Sequence, residues 1–143
     1  MKHSYLFICI ANFCRSPVAE KIFKSIFPED SSIKSAGLID YNKNFMHPVS
    51  QKFLQSINID DIDHKTQKIS VELVKESKII FCMDDKIVNE VQKRFPDHAA
   101  KARLILKNNI ADPLNFEDGT YMKLMQDMKL QLEEVALKLK TIF

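Results

Sequence analysis

Apolar residues along this chain fall into two periods. Tyr5 to Cys9 and Ile79 to Met83 are unbroken apolar runs of strand length, as a strand buried on both faces requires. Shorter runs at Ile33 to Ala36 and Ala102 to Leu106 predict two more strands. Between them the apolar positions take helical spacing. Val18/Ala19, Ile22/Phe23 and Ile26/Phe27 form one stripe behind Ser16-Pro17, with Ser16 the expected N-cap, Pro17 the first helical residue and Pro28 the stop. Val49, Phe53, Leu54 and Ile57 mark a second helix. Ser70 is placed to cap a short helix ending at Glu76, and a helix from Asp84 to Arg94 is closed by Pro96. Tyr121, Met125, Met128, Leu132, Val135, Leu139 and Ile142 repeat at 4-3-4-3 spacing in a terminal helix, expected to cover a sheet face rather than to pair as a coiled coil. Gly37–Asn44, Asp60–Asp63 and Lys107–Asp118 read as connections. This alternation predicts an α/β fold: one domain, 1–143, with a small parallel sheet of about four strands flanked by helices on both faces.

Composition narrows the function classes. A chain of 143 residues, 45% hydrophobic and 28% charged, can bury a core without a metal or disulfide staple. Twenty-one Lys and Arg against nineteen Asp and Glu leave a charge of +2, which argues against a nucleic-acid or membrane-surface binder. The longest apolar run, Tyr5 to Ala11, falls far short of the ~18 residues that span a bilayer. It follows a basic start, but Asn12, Cys14 and Arg15 come at once with no small-residue cleavage pattern, so a soluble cytoplasmic protein is expected. Three cysteines, Cys9, Cys14 and Cys82, are an odd number that suits a reducing compartment. With only Gly37 and Gly119, a Gly-rich nucleotide loop is excluded, and any phosphate loop must be built another way.

The segment Cys9-Ile10-Ala11-Asn12-Phe13-Cys14-Arg15-Ser16-Pro17 offers such a loop. It joins the end of a buried strand to a helix N-terminus, where open parallel sheets bind anions. Five residues between Cys9 and Arg15 suffice to wrap backbone N–H groups around an anion. Those donors, the helix dipole and the Arg15 charge would favour a thiolate at Cys9. Arg15 can present two N–H groups to a phosphate-like dianion. Asn12 is the residue best suited to a left-handed turn in the loop.

Cys9 to Glu20, C-I-A-N-F-C-R-S-P-V-A-E, resembles the phosphate loop of the low-molecular-weight protein tyrosine phosphatases, C-x-G-N-x-C-R-S-P-x-A-E. Ser35-Ala36-Gly37, Phe81-Cys82-Met83-Asp84 and Asp112-Pro113 extend the resemblance along most of the chain. The resemblance implies a metal-independent, cofactor-free phosphatase. Cys9 would be the nucleophile, with Arg15 and the amides of Ile10, Ala11, Asn12, Phe13, Cys14, Arg15 and Ser16 holding phosphate. Asp112 would be general acid and base; taken alone, Asp-Pro reads as a turn starter. Ser16 would bond the Cys9 sulfur, and Asn12, Ser16, Ser35 and His64 would support the loop, although His64 also reads as an exposed loop histidine. Cys14 is either a disulfide partner for Cys9, as the resemblance suggests, or a small apolar residue beneath the loop. Cys82 reads as a buried strand residue. The implied partner is a phosphotyrosine-containing protein, a tyrosine kinase among the candidates, acted on by a monomer or weak homodimer.

Two departures stand out. Ala11 replaces the family's usual Gly, which is tolerable if Asn12 carries the left-handed turn. Leu114 follows Asp112-Pro113 where the family usually has Tyr, so Tyr41 and Leu114 are the expected substrate walls, with Phe116 near enough in sequence to help. Three other functions compete. A thioredoxin-coupled arsenate reductase resembles this fold but uses two late cysteines, and only Cys82 lies beyond the loop. A phosphoarginine phosphatase typically has Thr where Ile10 stands. The third alternative is a non-catalytic phosphotyrosine-binding module.

Overall fold

The computed structural model describes residues 3–27, 31–106 and 108–142; the expected helix stop at Pro28 and the loop start at Lys107 lie outside these. Four strands run in chain order: β1 (Ser4–Cys9), β2 (Ser32–Gly37), β3 (Ile79–Cys82) and β4 (Ala102–Leu104). All pair in parallel, in the order β2-β1-β3-β4. Among the described residues five α-helices connect and follow them, α1 (Ser16–Ile26), α2 (Pro48–Ser56), α3 (Val71–Glu76), α4 (Asp85–Arg94) and α5 (Asp118–Ile142), and a short 3-10 helix, Pro96–Lys101, leads from α4 into β4. Chain direction across the sheet reverses at β1, since β1 leads outward to β2 whereas β3 leads the other way to β4. Right-handed crossovers therefore put α1 and α4 on opposite faces, and the crevice beyond the carboxyl end of β1 lies where the two halves part.

Every residue of β1 is buried, as its unbroken apolar run demands. Tyr5 and Phe7 meet Phe23 of α1 at 6.0 and 4.7 Å between ring centres, and Phe7 stacks on Phe81 of β3 at 5.5 Å. This aromatic layer pins the start of the sheet to α1, and so fixes where Cys9 ends.

Beyond one-residue shifts at the ends of β2, β3, α2 and α4, the structure differs from the sequence expectation in three places. β4 stops at Leu104, although Ile105 and Leu106 stay buried beyond it. Ser16 is not a side-chain cap: α1 starts there, Arg15 holds the capping position, and no side chain bonds the first turn. Its hydroxyl is spent on Cys9 instead. In α5 the buried stripe is Tyr121, Met125, Met128, Leu132, Ala136 and Leu139; Val135 is half-buried and Ile142 is 71% exposed. A straight helix drifts ~20° per heptad from a strict 3.5-residue period, so burial passes from Val135 to Ala136. α5 packs chiefly against α1 and α2.

Candidate active site

Cys9 ends β1, Arg15 precedes α1, and the five residues between them turn through a tight loop. Asn12 sits at φ 56°, so the left-handed step falls on the side chain able to bear it and Ala11 needs no positive φ. Six carbonyls of the loop are tied to the surrounding scaffold. Leu38 N–H donates to Cys9 O at 3.1 Å, Ile39 N–H to Ile10 O at 3.1 Å, and His47 N–H to Phe13 O at 2.9 Å. His64 Nε2–H donates to Asn12 O at 2.7 Å, the Ser50 hydroxyl to Cys14 O at 2.9 Å, and Ala19 N–H to Arg15 O at 3.2 Å. In a trans peptide the N–H points opposite to the carbonyl of the same plane. Anchoring these carbonyls therefore turns the amides of Ile10, Ala11, Phe13, Cys14, Arg15 and Ser16 away from the scaffold, the arrangement that makes an anion nest.

A second set of bonds runs beneath the nucleophile. Asn12 Nδ2 donates to Ser16 Oγ and to Ser35 Oγ, both at 2.9 Å, which uses both amide protons. Ser35 spends its hydroxyl proton on Glu20 Oε1 at 2.6 Å. Asn12 Oδ1 accepts from Gln67 N–H at 3.1 Å, which fixes the amide's orientation. Ser16 therefore receives a proton from Asn12 and has its own to give to Cys9 Sγ, 3.0 Å away.

Arg15 is 1% exposed. One guanidinium nitrogen, Nη1, donates to Ile110 O at 2.7 Å and lies 3.4 Å from Asp84 Oδ2. Its Nε, also buried, has no hydrogen-bond partner among the described residues. Asp84 holds its other oxygen on Ile87 N–H, capping α4, so one carboxylate sets both a helix and the arginine. Cys9, Ile10, Ala11, Phe13, Cys14, Arg15, Tyr41, Asp112 and Leu114 line a single small pocket. Asp112 is exposed, and its Oδ1 accepts from Leu114 N–H at 3.2 Å in an Asx turn. Tyr41 packs on Phe13 at 5.1 Å. Phe116, 38% exposed, is not among the lining residues. Burial pushes the thiols of Cys14 and Cys82 up to about 12 and lowers His64, whose ring stays neutral to donate to Asn12. Among the described residues, no three His, Cys, Asp or Glu side chains converge as metal ligands. No helix among them is long and apolar enough to cross a membrane.

Glu20, Asp84, Gln67 and Ser50 belong to this constellation and were not singled out from the sequence as site residues. Glu20 had a readable signal, since it lies four residues after Ser16 and so on the same helix face. Asp84 is one residue beyond the β3 run, but that β3 lies beside β1 is decided by pairing over distance.

Residues 4–142 match the family model described as low molecular weight phosphotyrosine protein phosphatase. The chain is 28% identical over 119 residues to a low molecular weight protein-tyrosine-phosphatase of Acinetobacter johnsonii, covering 81% of this chain and 83% of that one. It is 26% identical over 139 residues to arsenate reductase 1 of Staphylococcus saprophyticus, covering 96% and 98%. The fold is shared with an arginine phosphatase structure from Geobacillus stearothermophilus, at a TM-score of 0.90 and 21% identity, covering 97% of this chain and 94% of that one.

Proposed function

The chain belongs to the low-molecular-weight phosphotyrosine protein phosphatase family, and on that premise we propose that it hydrolyses phosphotyrosine monoesters through a cysteinyl-phosphate intermediate. The observation that carries this is the meeting of Cys9, Arg15 and Asp112 on one pocket, beneath a loop whose carbonyls are turned outward. A phosphate dianion placed there would take the loop amides and the unpartnered Arg15 Nε–H. Leaving such a buried donor unpaired costs about 1–3 kcal/mol, so an anion that accepts from it is favoured.

In the first step the Cys9 thiolate attacks phosphorus, the S–P bond forms and the P–O bond to tyrosine breaks. Asp112, protonated, gives its proton to the departing phenolate oxygen. In the second step water attacks phosphorus, Asp112 takes a proton from it, the S–P bond breaks, and Cys9 leaves again as thiolate. Arg15 and the loop amides hold the three equatorial oxygens through both transition states. Ser16, donating to sulfur, stabilises the entering and leaving thiolate. Tyr41 and Leu114 would flank the substrate ring, an aromatic wall facing an aliphatic one.

The likeness to an arsenate reductase raises a second chemistry. The late disulfide relay of that group requires further reactive cysteines. Beyond the loop this chain has only Cys82, which is fully buried in β3 with its thiol pushed up to about 12. That environment favours the phosphatase.

The test is turnover of p-nitrophenyl phosphate and of a phosphotyrosine peptide in the presence of EDTA. Cys9→Ser should abolish it. Arg15→Ala should lower kcat by about 10³, the upper end for loss of one oxyanion donor. Asp112→Asn should slow poor leaving groups more than good ones. Absence of turnover together with arsenate-dependent oxidation of thioredoxin would assign the reductase chemistry instead. Binding without turnover would make the protein a phosphotyrosine-recognition module, and faster release from a phosphoarginine peptide would move the substrate class.

A further inference from the structure

Two side chains from distant parts of the chain meet under the second half of the loop. Ser50 of α2, fully buried, donates its hydroxyl proton to Cys14 O at 2.9 Å. A serine has one such proton. The 2.6 Å bond between Ser50 Oγ and the Tyr121 hydroxyl must therefore be donated by Tyr121, which is also fully buried, at the start of α5. Two protons thus run in line: Tyr121 O–H to Ser50, and Ser50 O–H to the Cys14 carbonyl. Burial keeps the Tyr121 hydroxyl in the protonated form that this direction needs.

We infer that Ser50 and Tyr121 are positioning residues that set the peptide plane between Cys14 and Arg15, and so aim the Arg15 amide at bound phosphate. This rests on the phosphatase reading above. The neighbouring plane is held from the same helix end, by His47 N–H on Phe13 O at 2.9 Å. The N-terminal turn of α2 therefore sets two successive loop amides, and α5 locks it. Without the Ser50 hydroxyl the plane between residues 14 and 15 is free to rotate and its N–H leaves the anion. Without the Tyr121 hydroxyl, Ser50 can turn its proton to the carbonyls of Met46 or His47 just before α2, the i−4 and i−3 alternative of a helical serine. Tyr121→Phe keeps the ring that packs on His47 at 4.7 Å, so it removes the hydrogen bond and spares the packing.

The test compares wild type, Ser50→Ala, Tyr121→Phe and the double variant. For each, the inorganic phosphate concentration that half-protects Cys9 from iodoacetate is measured by mass spectrometry, beside kcat and KM for p-nitrophenyl phosphate and the melting temperature. Ser50→Ala should need about tenfold more phosphate, the effect of losing one hydrogen bond to a charged ligand, and Tyr121→Phe about threefold more. The double variant should be no worse than Ser50→Ala, because both act through the same bond to Cys14. Lower melting temperatures with unchanged phosphate protection, or effects that add in the double variant, would overturn the positioning role. If Ser50→Ala does not fold, protection in Tyr121→Phe decides alone. A wild type that neither turns over substrate nor is protected by phosphate would instead sink the phosphatase reading itself.

Discussion

Gly37 at the end of β2 shows how closely the loop is fitted to its scaffold. A Cβ built there would lie 2.8 Å from Ala11 C, from Asn12 N and from Ile10 O, all of them backbone atoms that cannot swing aside. Its N–H and C=O are already bound to Gln67 O and Ile69 N–H, each at 2.8 Å, so the strand end cannot retreat either. Overpacking of this kind costs about 1–3 kcal/mol, and here the strain falls on the anion nest. Gly37→Ala is expected to lower kcat/KM for p-nitrophenyl phosphate at least about tenfold, the rate equivalent of ~1.4 kcal/mol. Steady-state kinetics beside a circular dichroism spectrum checks it; wild-type kcat/KM in the folded variant would mean that the loop can move without loss.

At the scale of elements, α1 carries two duties on two faces. Its N-terminus, without a side-chain cap, faces the loop, while Phe23 further along is fully buried among Tyr5, Phe7, Phe27 and Phe81. Truncating such a ring removes its transfer free energy and leaves a cavity, so Phe23→Ala should cost about 3–5 kcal/mol. Against the 5–15 kcal/mol typical of a whole domain, that is a large share. Leu137 on the outer face of α5 is 67% exposed, and Leu137→Gln should change stability by less than about 0.5 kcal/mol. Urea unfolding of both variants measures the contrast; a small loss at Phe23 would show that the aromatic layer can collapse around the gap.

The whole molecule should lose stability on mild acidification. Burial lowers His64, with its bond to Asn12 and the Glu20 charge opposing, and burial lowers His47 against the opposing Asp118. Both therefore resist protonation when folded and accept it more readily when unfolded, near the ordinary histidine value of about 6.5. Their stabilising contribution is complete above that value and falls away as pH drops through the lower folded values. Structure reinforces the sign at His47: its Nδ1 accepts from Val49 N–H to cap α2, and a protonated Nδ1 cannot accept. The urea midpoint should fall between pH 7.5 and pH 5, and the fall should shrink in His64→Asn. A midpoint that stays level over this range would contradict the burial of these rings.

Local chemistry was legible along the chain because it is written in consecutive residues. A strand buried on both faces needs an unbroken apolar run, a helix on a core needs a stripe, and the Cys9–Arg15 loop spans only a few residues. From these the α/β class, the parallel sheet and the position of the loop at the end of β1 follow. Tertiary structure decided what no local pattern holds: that β3 rather than β4 lies beside β1, that Glu20 and Asp84 turn their carboxylates to the loop-supporting network and to Arg15, and that Ser50 and Tyr121 meet beneath Cys14. Each of these is a pairing between distant segments. Side-chain identity specifies which bonds a residue is able to make, but only the packed chain brings the partner within 3 Å and excludes the water that would otherwise compete for it.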